Sequence, residues 1–256
     1  MAKRLKLLTI SDGFGDSECY PSWYPDYYKW PFILSLMTRN IELTNLSRYG
    51  AGNEFMVNLL REHHKSADVV LVQWTMPHRL DLMLAHSDDM QSNWRSKIKQ
   101  DPVYNKNFQY TDDAEWWLSS ASDMDRVQQY HSEFISKKQH RARSKIWIEY
   151  AHQILGSQVH GFLLTYNSDY LKNVDVDNNT WVWHEPWKGM DNWRHISKYE
   201  HLDFGYIQPI PLIHFEFIKK FIIPKFDLPW RSEKEIKAVE QMLIRKYNQY
   251  IEQKPL

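Results

Sequence analysis

The sequence has little cysteine and no excess of charge of either sign. Cys19 is the only cysteine among 256 residues, which excludes an internal disulfide and a zinc site built on cysteines. Lysine and arginine together number 32, and aspartate and glutamate also number 32. With no net basic charge and no basic stripe, the sequence gives no support for binding to nucleic acid or to an anionic membrane.

Long apolar runs are also missing. The apolar run near the N-terminus follows basic residues but stops at Ser11, so it is shorter than a signal peptide requires. No run of about 18 apolar residues is present for a transmembrane helix. The content of 43% hydrophobic and 25% charged residues is typical of a globular protein. We therefore expect a single domain over residues 1–256, without a signal peptide or a membrane span.

What the sequence does contain is a series of short apolar runs, each followed by a turn. Residues 6–10, 41–46 and 67–75 have the length and composition of buried strands. After the second run, apolar residues at helical spacing predict a helix for which Asn53 is a candidate N-cap. Strand, loop and helix in this repeated order predict an α/β fold with a central parallel sheet and right-handed crossovers.

The rest of the chain completes this prediction. Residues 87–125 are polar and weakly periodic, and we interpret them as an insertion of helical character. Ser232, followed by an acidic first turn, predicts a C-terminal amphipathic helix over residues 232–253. Three further elements are predicted from periodicity: a long helix within 126–155, a strand at 160–166, and a helix at 212–223 that Pro224 ends.

Functional residues are expected in the loops that follow the strands, because ligands of open parallel sheets bind beyond the carboxyl ends of the strands. The loop after the first strand, residues 11–17, reads Ser-Asp-Gly-Phe-Gly-Asp-Ser. It resembles the Gly-Asp-Ser turn of the SGNH (GDSL) hydrolases. If Ser11 takes the glycine position, Asp12 takes the aspartate position and Gly13 stands where the nucleophile should be. Ser17 belongs to a literal Gly-Asp-Ser further from the strand, so Ser17 and Ser11 are the candidate nucleophiles.

Two more loops are similar to blocks of the same family. Residues 45–53 match its Asn-x-x-x-x-Gly-x-x-Asn segment, which implies that the amide of Gly50 binds an oxyanion and that Asn53 is a ligand-binding position. A glycine in such a loop also serves turn formation alone. In the third loop, Thr75 falls where the family has asparagine, and its hydroxyl can donate one hydrogen bond to an oxyanion. Gln73 and Arg79, on either side, are candidates to orient a ligand.

The fourth resemblance lies near the C-terminus. Family members often carry Asp-x-x-His-Pro and a second histidine five residues after the proline, and Pro209 and His214 have that spacing. Gln208 then stands at the position of the catalytic histidine, and a glutamine cannot take a proton from serine. Asp203 lies five rather than three residues before it, so the acid also departs from the pattern. His214 is either a base reaching from its helix or a structural histidine.

Two functions follow from this resemblance, which implies a three-layer sandwich with flavodoxin-like strand order. One is a serine ester hydrolase, of the carbohydrate esterase, deacetylase or lipase-like kind. The other, which the changes at Gly13 and Gln208 favour, is a non-catalytic virion or interaction protein similar to divergent bacteriophage-encoded SGNH-like proteins. We accordingly expect a carbohydrate or ester ligand and virion or homo-oligomer partners. The expected location is the cytoplasm of a host cell or a virion. No metal or cofactor is expected.

Overall fold

The structure is a computed structural model, and the account below concerns the residues that it describes. These are residues 3–12, 29–48, 50–75, 77, 79–84, 108–110, 115–119, 136–163, 211–224 and 226–253. Five positions singled out by the resemblance lie outside the described residues: Gly13, Ser17, Asp203, Gln208 and Pro209.

The described chain alternates strands and helices, which confirms the predicted α/β class. Its elements are β1 (Leu5–Ser11), α1 (Trp30–Met37), β2 (Ile41–Asn45), α2 (Asn53–His63), β3 (Val69–Trp74), β4 (Leu80–Leu84), β5 (Phe108–Tyr110), β6 (Glu115–Ser119), α3 (Lys137–Leu155), β7 (Val159–Leu163), α4 (Pro211–Phe217) and α5 (Glu233–Gln253). A π-helical turn, Ile218–Ile222, continues α4, and Pro224 follows it as the sequence predicts. None of the described helices is long and apolar enough to cross a membrane.

The central sheet has the strand order β2-β1-β3-β7, and all of its neighbouring strands run parallel. This confirms the predicted parallel sheet. Strand β2 lies on one side of β1, whereas β3 and β7 lie on the other side, so the direction of winding reverses between β1 and β3. In open α/β sheets, a crevice forms at this reversal, beyond the carboxyl ends of the two strands, and ligands bind there.

Successive residues of β1 and β3 are buried in two separate apolar clusters. Leu7 and Leu71 belong to a cluster that contains buried residues of α1, α4 and α5. Leu8 and Val70 belong to the other cluster, together with buried residues of α2 and α3. Since side chains alternate between the two faces of a strand, the continuous apolar runs in the sequence reflect strands that are covered on both faces.

A second, antiparallel sheet has the strand order β4-β6-β5. Strands β5 and β6 fall within residues 87–125, so the helical character predicted for this insertion is wrong for its described part. Trp116 of β6 is buried and packs edge-on against Phe55 of α2, with ring centroids 5.8 Å apart. The small sheet is thereby attached to the helix that follows β2.

The helix ends show where local sequence signals were sufficient. At the start of α5, the hydroxyl of Ser232 accepts a hydrogen bond from the Glu235 amide, and the Glu235 carboxylate accepts one from the Ser232 amide. This reciprocal pair is a capping box, as the sequence predicts. Helix α3 begins after Ser136, whose hydroxyl accepts from the amide of Gln139 at 3.1 Å.

The predicted N-cap of α2 is wrong. Asn53 is the first residue of the helix, and Gly52 is the residue that caps it. The amides at this end donate instead to the carboxylate of Asp81, which belongs to β4. A carboxylate at a helix N-terminus also interacts favourably with the helix dipole.

Candidate functional site

The carboxylate of Asp12 lies at the carboxyl end of β1, at the reversal of the central sheet. Its side chain is buried. One carboxylate oxygen accepts a hydrogen bond from the Thr75 hydroxyl at 2.6 Å, and the other lies 3.4 Å from the side-chain nitrogen of Gln73. The register of the parallel sheet places Ser11 beside Gln73, which brings the ends of β1 and β3 together. Three of the predicted site residues therefore meet at the crevice.

Arg79 completes this group from the segment between β3 and β4. Its Nη2 atom lies 3.5 Å from Oδ2 of Asp12, and its side chain is about one-fifth exposed. The buried carboxylate therefore has a hydroxyl, an amide and a guanidinium around it, a combination that offsets the cost of burying its charge. The Oε1 atom of Gln73 is buried and has no hydrogen-bond partner among the described residues.

Ser11 lies next to Asp12 but faces a different set of polar groups. Its hydroxyl is fully buried and donates to the hydroxyl of Ser47 at 2.8 Å. The Ser47 hydroxyl in turn donates to Oδ1 of Asn45 at 2.7 Å, and Thr9 donates to the same oxygen at 3.1 Å. The hydroxyl of Ser11 thus joins the ends of β1 and β2.

Asn53 joins α2 to the end of β3 through both ends of its carboxamide. Its Oδ1 atom accepts from the Thr75 amide at 2.9 Å, and its Nδ2 atom donates to the Thr75 carbonyl at 3.2 Å. The same nitrogen donates to the hydroxyl of Ser144, on α3, at 2.7 Å. The predicted ligand-binding Asn53 therefore fixes the backbone on which Thr75 sits.

Gly50 lies in the loop between β2 and α2. Its φ of 80° belongs to the left-handed region, where glycine is the residue with no steric penalty. Turn formation accounts for a glycine at this position.

Asp81 is the principal site residue that the sequence did not reveal. Its two carboxylate oxygens accept hydrogen bonds from the amide of Gly52 at 2.7 Å and from the amide of Phe55 at 2.8 Å. Burial raises the pKa of this carboxyl to about 7, and the desolvation outweighs the lowering by the two amides and by Arg143.

A small polar pocket lies beside this group. Its accessible volume is about 10 Å³, enough for one water-sized group. Arg143 pairs with the Glu54 carboxylate at its rim, as Arg79 pairs with Asp12. The pocket is lined by Asn53, Glu54, Pro77, Arg79, Asp81, His140, Arg143, Ser144 and Trp147.

The structure places His214 on α4, whose neighbouring residues belong to the apolar cluster formed with α1 and α5. Its side chain is 1% exposed, and neither ring nitrogen has a hydrogen-bond partner among the described residues. Burial, together with the charge of Lys29, holds the pKa of this imidazole well below its usual value of 6.5. No contact among the described residues pairs His214 with a serine, and Ser17, a candidate nucleophile, lies outside those residues.

Among the pocket residues that belong to no motif in the sequence are Asp81, His140, Arg143 and Ser144. Asp81 lies in β4, a strand that pairs with residues more than thirty positions later, and the other three are on a helix that follows the insertion. Only long-range contacts bring them to the crevice, and no local signal could have found them. Within the described ranges, no group of three or more histidine, cysteine, aspartate or glutamate side chains could hold a metal ion.

Comparison with known proteins adds no identification. No protein-family model matches the chain, and no curated protein matches it. The resemblance to the SGNH hydrolases therefore stays a prediction based on the sequence blocks.

Proposed function

We propose that this chain is an SGNH-like protein with a three-layer α/β sandwich, in which the catalytic crevice has become a binding site and catalysis has been lost. A non-catalytic virion or interaction protein is the function that the geometry supports best. Two observations support this fold. The strand order is β2-β1-β3-β7, and residues of the sheet are buried in two apolar clusters, each of which contains residues of different helices.

The observation that carries the loss of catalysis is the direction in which the crevice hydroxyls donate. An oxyanion donor must point at the position where negative charge develops on the substrate. The hydroxyl of Thr75 donates instead to Asp12, at 2.6 Å. Ser11 donates to Ser47, and no histidine of the described structure receives a proton from either hydroxyl. A serine nucleophile needs such a base.

The charges around the pocket support a neutral, polar ligand such as a carbohydrate. Glu54 of the lining is paired with Arg143, and Arg79 of the lining is paired with Asp12, so these charges are already matched within the protein. Trp147, also in the lining, supplies an aromatic surface of the kind that packs against sugar rings. The pocket, with an accessible volume of about 10 Å³, must widen to admit a sugar.

The loss of catalysis is tested with p-nitrophenyl acetate and the full chain. We expect turnover that is unchanged in the Ser17→Ala and Ser11→Ala variants. Ser35→Ala, on α1, is the matched control. Turnover that Ser17→Ala abolishes and Ser35→Ala preserves would show an ester hydrolase, and it would overturn the proposal.

Carbohydrate binding is tested by screening the full chain against immobilised glycans and measuring affinity by titration calorimetry. Trp147→Ala should weaken binding by about tenfold or more, because an aromatic ring that contacts a ligand contributes well over 1 kcal/mol. Tyr150→Ala is the matched control, since Tyr150 packs against Trp147 at 6.1 Å but does not line the pocket. Equal affinity in both variants would show that sugars do not bind in this pocket.

A further inference from the structure

The orientation of the Asn53 carboxamide is fixed by the backbone of Thr75. A backbone amide can only donate, so the side-chain atom that lies 2.9 Å from the Thr75 nitrogen must be the oxygen Oδ1. The side-chain nitrogen Nδ2 then faces the hydroxyl of Ser144, at 2.7 Å. Because a carboxamide nitrogen can only donate, the Ser144 oxygen is the acceptor in this hydrogen bond.

Ser144 therefore keeps its own proton for another partner. The residue is buried on α3, with 6% of its surface exposed, and it lines the small polar pocket. Among the described residues, no group accepts a hydrogen bond from its hydroxyl. A buried hydroxyl proton without an acceptor is costly, because its desolvation is not offset. We therefore expect an acceptor for this proton to lie in the pocket.

Asp81 offers the complementary group on the wall of the same pocket. Each of its carboxylate oxygens accepts one backbone amide, that of Gly52 or that of Phe55. An ionised carboxylate has about four lone-pair sites, so roughly two are left. No other donor within the described ranges hydrogen-bonds to Asp81, which is 3% exposed. The carboxylate can therefore accept a further hydrogen bond from a group in the pocket.

The size of the pocket and these two side chains select the group that fits. The accessible volume of about 10 Å³ has room for one water-sized group. A carbonyl or ether oxygen accepts from Ser144 but cannot donate to Asp81, and an ammonium group can only donate. A carboxylate or phosphate oxygen is repelled by the charge of Asp81. A hydroxyl both accepts and donates, so it satisfies both side chains.

We propose that the pocket binds one alcohol hydroxyl of its ligand, which accepts a hydrogen bond from Ser144 and donates one to Asp81. This inference rests on the proposed binding function, and it names the chemical group that the pocket recognises. Carbohydrates and other polyols carry such hydroxyls. The ligand hydroxyl takes the place of a water molecule, which can make the same two hydrogen bonds. Ser144 and Asp81 are thus the residues that determine specificity.

The test compares 2-propanol with acetone, which has the same size but an oxygen that cannot donate. Each is titrated to molar concentration into the full nitrogen-15-labelled chain at pH 8, above the pKa of Asp81. The backbone amides of Gly52 and Phe55 and the side-chain amide of Asn53 report on the pocket by NMR. We expect 2-propanol to shift these signals in a saturable way and to bind about threefold or more tightly than acetone, the effect of one hydrogen bond.

One variant identifies the donor. Ser144→Ala should weaken the binding of 2-propanol by about threefold to tenfold. Ser35→Ala is the matched control, because the Ser35 hydroxyl donates to the Phe32 carbonyl on α1, and it should leave the affinity unchanged. The comparison with acetone tests Asp81 in the wild-type chain, so no variant at the N-terminus of α2 is needed. Equal binding of the two ligands, an absence of saturable shifts, or an unchanged affinity in Ser144→Ala would overturn the proposal.

The outcome can be separated from that of the glycan screen. If 2-propanol binds as expected and no glycan does, the hydroxyl site stands and the carbohydrate ligand is wrong. If a glycan binds through Trp147 while 2-propanol gives no saturable shift, carbohydrate binding stands and the role of Ser144 and Asp81 is wrong.

Discussion

Gly52 and Asp81 approach each other so closely that no side chain fits between them. A Cβ atom on Gly52 would lie 2.6 Å from Oδ2 of Asp81 and 2.8 Å from its Oδ1. The backbone of Gly52, at φ −95° and ψ 176°, is one that any residue adopts. Glycine is therefore required here by the carboxylate and not by the conformation of the chain.

Substituting Gly52 tests this relationship. Gly52→Ala should lower the free energy of unfolding by about 1–3 kcal/mol, because the new methyl group overlaps the carboxylate. Asp81→Ala should cost about 1–3 kcal/mol by leaving two amides without their acceptor. In the double variant the overlap is absent, so the combined loss should be smaller than the sum by about 1 kcal/mol or more. Urea denaturation of the four proteins measures the coupling.

A second glycine provides the control. Gly156 has a φ of 50° and open space where its Cβ would lie, so Gly156→Ala should cost about 1 kcal/mol through backbone strain alone. Combined with Asp81→Ala, this loss should be additive. Additivity for Gly52→Ala as well would contradict the steric argument.

Local patterns were sufficient for the elements that bury a continuous apolar run or carry their own caps. Strands β1 and β3 and the Ser232 capping box are of this kind, because their signals lie within a few residues of one another. Helix α1 was not predicted. It has only eight residues and buries side chains on most of its surface, so it shows no polar face from which a helical period could be recognised.

The crevice was predicted in part for the same reason. Asp12 and Thr75 follow strands that the sequence shows, and Gln73 lies near the end of one of them, so parallel pairing brings the three together. The direction of their hydrogen bonds could not be predicted. The Thr75 hydroxyl can donate either to a ligand or to Asp12, and the sequence does not show which acceptor lies within reach. The prediction of Asn53 as N-cap fails likewise, since the carboxylate that accepts from the Gly52 amide belongs to Asp81, 29 residues later in the chain.

His214 should make the protein sensitive to acid. Its pKa is lowered by burial, so the folded state favours the neutral ring, and the unfolded chain takes up a proton below its ordinary pKa of 6.5. The contribution of the neutral His214 ring to the stability of the fold is fully present above that pH, and it is lost as the pH falls below it. His214→Leu should flatten this decline and raise the free energy of unfolding at pH 7 by about 1 kcal/mol, because it removes two buried nitrogens that have no hydrogen-bond partner in the described part of the chain.

Thermal unfolding at pH 5, 6 and 7 measures the effect, with His63→Gln as the control because the His63 side chain is 40% exposed. Asp81 acts in the opposite direction, since its raised pKa favours the folded state as the pH falls. The pH profile of the wild-type chain is the sum of both, and the comparison must be made between variants. If the dependence of thermal stability on pH were the same in His214→Leu as in the wild-type chain, His214 would not be the source of the acid sensitivity.

The capping box of α5 should contribute measurably to stability. Ser232 exchanges hydrogen bonds with Glu235, and Arg39 pairs with the same carboxylate. The Ser232 hydroxyl, followed by Arg39, lowers the pKa of Glu235 to about 2. Ser232→Ala should cost about 1 kcal/mol, as is usual for the loss of an N-cap. Ser35→Ala, whose hydroxyl donates only to the Phe32 carbonyl, is the control and should cost less. Urea denaturation measures the free energy of unfolding of both variants. Equal losses in Ser232→Ala and Ser35→Ala would contradict the role of Ser232 as the N-cap.

Thr75 and Thr9 offer a comparison between a charged and a neutral acceptor. Both are buried threonines at adjacent strands, and the hydroxyl of Thr75 donates to the carboxylate of Asp12, whereas that of Thr9 donates to the carboxamide of Asn45. Valine has the same shape without the hydroxyl. Thr75→Val should therefore cost about 2 kcal/mol or more at pH 7, and Thr9→Val about 1 kcal/mol, because hydrogen bonds to an ionised group are roughly twice as strong.

Thr75→Ser keeps the donor and should recover most of the difference from Thr75→Val. Urea denaturation at pH 7 gives the three values. If Thr75→Val and Thr9→Val cost the same, the Thr75 hydroxyl is not committed to Asp12. It would then be free to donate to a ligand in the crevice, as the resemblance to the SGNH hydrolases first implied.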